Sequence, residues 1–291
     1  MPTRLVVSLA MSLLAVVSAG AAASSSESST GQTYALEYRF APGETIRSEV
    51  VHRASVNITI TGNNQQTETR SGSVKTWKIL DASDAGPIRF VHSVESIDMW
   101  QKRQGRQEIS YNSRTDEQPP TEYEDAAKAV GVPLTVFTMD RRGKVLERED
   151  QRGQGAANPM PITLQLPEKP VAIGDSWQVQ QTVDVTLQPA GIKRVDTRQK
   201  FTLRAVAGNL ATIELDPQIL TPVDDPKIQA QLIQRMGKGT IEFDLARGRV
   251  VREQLDVDQR ILGINGQGSM MHYVARYTEQ LLPDEPETAQ R

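Results

Sequence analysis

Between residues 44 and 60 the side chains alternate with a period of two. Ile46, Ser48, Val50, His52, Ala54, Val56, Ile58 and Ile60 share one parity, and Thr45, Arg47, Glu49, Arg53, Ser55, Asn57 and Thr59 hold most of the other. This is the signature of an antiparallel strand with one face on a core and the other in water. The alternation returns at Trp177, Val179, Val183, Val185 and Leu187. Shorter versions are Tyr34-Leu36-Tyr38-Phe40, Ile241-Phe243-Leu245, Val251-Leu255-Val257-Ile261 and Met271-Tyr273-Ala275-Tyr277, each counted at alternate positions. The fold class predicted is mainly β, with curved antiparallel sheets forming a half-barrel or a sandwich. Two short helices interrupt it. Thr121-Glu122-Tyr123-Glu124 has the form of a capping box opening a helix to about Val130, closed by Gly131 and Pro133. The second helix has Asp225 as N-cap, Pro226 at its first position and an apolar stripe of Ile228, Leu232, Ile233 and Met236, with Gly237 beyond its end.

One half of the chain echoes the other. Pro42-Gly43-Glu44-Thr45-Ile46 matches Ile173-Gly174-Asp175-Ser176-Trp177 at an offset of 131, and helix, strand and the turn Gly143-Lys144-Val145 repeat at Gly248-Arg249-Val250 with an offset of 105. The 26-residue difference is assigned to a polar turn over residues 62–70 and to an added hairpin around Trp100 to Asn112 that turns at Gly105. Two related β units follow, residues 33–158 and 159–282, divided by a Pro-rich stretch at 159–170; a chance alignment of two β meanders is the alternative. In this scheme Gly143 occupies a left-handed turn position, where a side chain costs about 1–2 kcal/mol.

The amino terminus changes the picture most. One arginine, an apolar run over residues 5–17 and small residues over 18–23 read as a secretory signal peptide, residues 1–23. The apolar run is short of the roughly 20 residues a bilayer span needs. Residues 24–32 read as a flexible Ser-rich leader and 283–291 as a disordered tail. The expected location is secreted or periplasmic, with no integral membrane segment after signal cleavage and no cysteine for lipid attachment. With 33 Lys and Arg against 36 Asp and Glu, no basic patch marks a nucleic-acid partner. Zero cysteines and three dispersed histidines, His52, His92 and His272, argue against thiol chemistry or a zinc centre. No cofactor is expected.

Residues 166–177, ending in Ile173-Gly174-Asp175-Ser176-Trp177, together with Pro42-Gly43-Glu44 and Gly237-Lys238-Gly239-Thr240-Ile241-Glu242-Phe243-Asp244 before Gly248-Arg249, resemble segments of a secreted bacterial family of unknown function. The resemblance spans roughly residues 33–282 and transfers no catalytic residue. More loosely, the pattern is similar to periplasmic lipoprotein-carrier half-barrels, which implies a curved sheet wrapped on helices.

Candidate chemistry is sparse. His52 shares its parity with apolar residues and reads as a core position; Asp256 and Asp258 with Arg252 and Arg260 read as a solvated charge ladder; residues 263–268 read as a turn between strands. Glu253 and Gln259 fall on the inward parity of an apolar strand, either as a polar anchor inside a cavity or turned outward by a bulge. Met99, Trp100, Met271, Tyr273 and Glu253 are the candidate ligand-lining residues, since methionines beside aromatic rings suit an adaptable apolar lining. The function expected is non-enzymatic binding of a lipid-like, apolar or amphipathic ligand in the cell envelope. A protein-interaction or structural module docking an envelope protein, and a hydrolase whose site is assembled only by folding, are the alternatives. Intact mass of exported material should place the mature terminus between Ala22 and Ser25; retention of residues 1–20 would refute the signal peptide.

Overall fold

All the long one-sided strands join one antiparallel sheet. The computed structural model describes residues 31–83, 86–151, 162–187 and 191–283. The predicted signal peptide, most of the Ser-rich leader, the start of the Pro-rich stretch and the tail from residue 284 lie outside the described residues. After β1 (Thr33–Tyr34), a first meander runs through β2 (Thr45–Ile60), β3 (Asn63–Ala82), β4 (Ile88–Arg103) and β5 (Ile109–Asn112), then α1 (Glu124–Lys128), β6 (Pro133–Met139) and β7 (Val145–Asp150). Then β8 (Val171–Ala172) pairs with β1. A second meander runs through β9 (Ser176–Leu187), β10 (Gly191–Ala207), β11 (Leu210–Ile219), α2 (Pro226–Leu232), β12 (Lys238–Asp244), β13 (Arg249–Leu262) and β14 (Ser269–Leu281).

The strand order is β7-β6-β4-β3-β2-β14-β13-β12-β11-β10-β9, with β5 added on β4. The pairing of β14 with β2, Ala275 opposite Ala54, sews the two meanders into one surface. Trp77 on β3 and Phe201 on β10 are six strand steps apart, roughly 29 Å in a flat sheet at about 4.8 Å per step. Both nevertheless border a single cavity, so the sheet is strongly curled. Its edges, β7 and β9, do not pair with each other, which makes it an open half-barrel and not a sandwich. A Cβ at Gly239 would stand 1.9 Å from the Gln254 carbonyl oxygen, so only glycine lets β12 and β13 approach this closely.

Several expectations are corrected. Residues 63–70 are not a turn but the start of β3, paired residue by residue with β2 from Asn63 opposite Ile60. Residues 63–66 are exposed at the ribbon's tip, so no apolar alternation marks them. Tyr34-Leu36-Tyr38-Phe40 is not a sheet strand beyond Tyr34: residues 36–40 form an extended strap lying on the inward face, with Leu36 and Tyr38 buried. The capping box does not form. A single 3-10 turn at Thr121–Tyr123 precedes α1, Pro120 occupies the cap, and no side chain caps it. At α2 the Asp225 side chain accepts from Lys227 N at 2.8 Å, as its sequence predicts.

The main core lies between strap and sheet. Tyr38 packs edge-on against Phe243 with centroids 5.7 Å apart, and Phe40, Trp77, Phe90 and Phe137 continue a chain of ring contacts across β3, β4 and β6. Two turns hold the strap. Tyr38 N donates to Arg141 O and Arg39 N to Gly248 O. Both turns are built alike: Asp140 Oδ1 accepts from Arg142 N and Lys144 N, and Asp244 Oδ1 from Ala246 N and Arg247 N. The strand openings at Gly43 and Gly174 also share a pattern. Gly43 N donates to Ile79 O and Ile79 N to Glu44 O; Gly174 N donates to Leu203 O and Leu203 N to Asp175 O.

Gly143 has φ +79°, and a Cβ there would meet Leu164 O at 2.3 Å and the Tyr38 ring at 2.7 Å. The backbone cost alone therefore understates the effect. Gly143→Ala should destabilise by about 3 kcal/mol, conformational strain and overpacking together. Urea unfolding measures this, and a loss below about 1 kcal/mol would show that strap and turn separate at little cost.

Candidate ligand cavity

The curled sheet and the strap do not fill the space between them. A cavity of about 380 Å³ remains. Its apolar walls are Phe201, Leu215 and Ile241 from β10–β12, with Phe40 from the strap and Ile162 and Leu164 from a second extended segment. That segment is anchored at Tyr38, whose hydroxyl accepts from Leu164 N at 3.1 Å and donates to Leu164 O at 3.2 Å. Thr163 Oγ1 donates to Gly143 O at 2.6 Å, and Trp177 Nε1 to Gln165 O at 2.8 Å. The strands cannot supply this cover, because each gives only its inward parity to the cavity.

A polar cluster comes from the middle strands. Lys75 Nζ on β3 pairs with Glu279 Oε2 on β14 at 2.6 Å, and Tyr277 Oη donates to the same oxygen at 2.8 Å. The Lys75 ammonium also lies 5.0 Å from the Trp77 ring centroid, a cation-π contact. His52 Nε2 on β2 is 3.5 Å from Tyr273 Oη. Glu253 on β13 sits directly across from Glu279. Burial, then the facing Glu279 carboxylate, push Glu253 up to about 7, with Lys75 only partly opposing them. Burial lowers His52 below the ordinary imidazole value and raises Tyr277. His92 lies opposite Trp77 on the same face, and its Nδ1 has no hydrogen-bond partner. Burial, then Lys75, bring it down to about 4.

Of the candidate residues named from sequence, Glu253 and Tyr273 line this cavity. A bulge does occur, between Glu242 and Phe243 of β12, where β13 skips from Arg252 to Val250; it lies upstream of Glu253, which stays inward with Leu255 and Val257. Met271 packs instead with Ile233, Val257 and Ile261 beneath the turn after α2. Met99 belongs to a separate cluster with Ile97, Tyr111 and Tyr123 under α1, and Trp100, the next residue of β4, is half-buried outside the cavity. Gln259 borders a second, more open pocket near residues 219–223. Sequence reasoning missed Lys75, Glu279 and Tyr277, whose only signal was their parity. His272 pairs with Asp258 at 2.7 Å and Asp256 with Arg276 at 2.6 Å, so this charge ladder runs across β13 and β14 and not along one strand. Among the described residues, no three of His, Asp and Glu come together as a metal site.

Residues 160–249 match a family described as a family of unknown function (DUF6263). That stretch contains the Gly174-Asp175-Ser176-Trp177 opening, Gly237, Gly239 and the turn at Gly248. No curated protein matches the chain by sequence. Among solved structures, the chain is similar to lipovitellin, in a structure concerned with lipid-protein interactions, at 10% identity and TM-score 0.44; the match covers 87% of this chain and 27% of that one. The chain thus spans about a quarter of that relative's length. It is also similar, at 10% identity and TM-score 0.14, to a DUF1329 family protein from Desulfovibrio piger, covering 84% of this chain and 87% of that one. No function transfers at such distances.

Glu253 and His92 set opposite pH slopes. Glu253 binds its proton more tightly when folded, so it removes stability as pH rises from 4.5 to about 7; the full penalty is on the order of 3 kcal/mol. His92 binds its proton less tightly when folded, so stability falls as pH drops from 6.5 to about 4. Glu253→Gln should raise the melting temperature by several degrees at about pH 8 and leave it unchanged at about pH 4. Thermal melts across that range test this, and an unchanged value at the upper end would refute an ionised, unpaired Glu253.

Proposed function

We propose that this protein binds an apolar or amphipathic ligand non-enzymatically in the cavity beneath the strap. The observation that carries the reading is unfilled space of about 380 Å³, walled by apolar side chains and floored by a few polar groups. Ligand sites are typically clefts of roughly 300–1,000 Å³ with this division of lining. The predicted signal peptide supports a site of action outside the cytoplasm, in the cell envelope. The matched hydrogen bonds at Gly43 and Gly174, and at the Asp140 and Asp244 turns, support two related units, residues 33–158 and 159–282, that together enclose one cavity.

The hydrolase alternative draws on His52, Glu253 and Glu279 facing one cavity. Among the described residues, however, no hydrogen bond joins His52 to a carboxylate, and a general base needs an orienting partner of that kind. The docking alternative draws on the sheet edges, where Leu146 on β7 is 56% exposed.

Titration with the apolar fluorophore N-phenyl-1-naphthylamine should give saturable fluorescence at micromolar concentration, near -8 kcal/mol. Ala275→Phe, which fills the cavity beside Val257, should weaken binding about tenfold with unchanged circular dichroism. Non-saturable fluorescence in delipidated protein, or binding indifferent to Ala275→Phe, would refute the cavity as the site and favour docking at a sheet edge.

A further inference from the structure

The charges around the cavity are paired off with one exception. Arg249 Nη1 bonds Glu44 Oε1 at 2.7 Å, and Lys75 Nζ bonds Glu279 Oε2 at 2.6 Å. Glu253 lines the cavity half-buried, and among the described residues its carboxyl group forms no hydrogen bond and no ion pair; Lys75 acts on it only through space. The cross-strand neighbour it does have, Glu279, is another carboxylate, an arrangement that destabilises a sheet. Packing does not ask for an acid here. Leu255 and Val257 on the same face of β13, and Ile241 opposite it on β12, are apolar. A buried carboxyl group without a partner is costly unless something else completes it.

We propose that Glu253 receives the ammonium head of a long-chain amine whose alkyl tail lies along Phe201, Leu215 and Ile241. This rests on the ligand-binding reading above and specifies the head group. An ammonium brings the counter-charge and the donors that Glu253 lacks, and the pair would be a charge-assisted hydrogen bond in a poorly solvated site. A fatty acid would instead bring a third carboxylate toward Glu253 and Glu279 while both nearby cations are engaged. A neutral alcohol could donate one hydrogen bond but would leave the charge uncompensated. The groups facing Glu253 are Glu279 and Tyr277 from β14, Lys75 from β3, His52 from β2 and Tyr38 from the strap; Arg249, on its own strand, is held by Glu44.

The test is displacement of N-phenyl-1-naphthylamine from the purified protein by dodecylamine, dodecanol and dodecanoate. At about pH 8, dodecylamine should displace the fluorophore at a concentration about tenfold below that of dodecanol, with dodecanoate weakest. Glu253→Gln should erase the amine's advantage and leave dodecanol unchanged, while Glu253→Asp, which keeps the carboxylate, should retain part of it. Because Glu253 takes up its proton near pH 7, the advantage should also shrink at lower pH, where dodecylamine itself stays cationic. Equal displacement by amine and alcohol, a preference for dodecanoate, or an amine preference that survives Glu253→Gln would overturn the amine assignment and leave the apolar cavity standing. Displacement by none of the three would overturn both.

Discussion

A single sheet with one apolar face has to cover that face, and in this protein the cover is the strap of residues 36–40. Tyr38 is its centre: the ring is buried against Phe243, the backbone nitrogen is bonded to the Arg141 carbonyl, and the hydroxyl grips both polar atoms of Leu164. Remove this contact and two segments lose their seat together, since residues 162–166 have no strand of their own to join. The turns at Gly143 and Gly248 belong to the same device. Each offers a carbonyl edge that a Cβ would disturb, and together they fix the strap at two points. Two fixed points on a curled surface leave the strap bridging the concavity, and the cavity is the space beneath that bridge.

The electrostatics follow from the same geometry. Among the described residues most ion pairs sit on the solvated face, where a pair such as Asp256 with Arg276 contributes little to stability. Inside the curl, aromatic and aliphatic walls limit solvation, and a charge gains by finding a protein partner. Lys75 with Glu279 and Arg249 with Glu44 do so, each cation also lying near an aromatic ring, Trp77 and Phe40. Glu253 does not, and its proton affinity rises in consequence. An acid kept near neutrality is tolerated at a cost that an apolar residue would avoid, and such groups concentrate where a ligand completes the environment.

The elements that were legible in the sequence are those whose signal is local. Long alternating runs in β2, β9 and β14 announce themselves because each inward residue meets the same apolar face. The Asp225 cap with Pro226 and the left-handed Gly143 were visible too, because their requirements are set within a few residues of backbone. The tip of β3 was hidden: residues 63–66 are wet on both faces, so pairing with β2 alone makes them a strand. The strap was hidden in the opposite way. Its alternation is that of a strand, because one side faces the core, yet its hydrogen bonds go to turns.

For the site, the sequence by itself determined which side chains could face inward: the parity of β13 made Glu253 a candidate, and a methionine beside an aromatic ring made Tyr273 one. Local aromatic and methionine content was a poorer guide, and Met99, Trp100 and Met271 all lie elsewhere. Only the tertiary structure decided that Lys75 and Glu279, more than 200 positions apart, would meet, and that Glu253 would be left out of the pairing. Parity is a property of one strand and costs a single chain segment nothing to express. Pairing across β3, β2, β14 and β13 depends on register and on closure of the two meanders against each other, and no stretch of sequence shorter than the whole sheet contains that information.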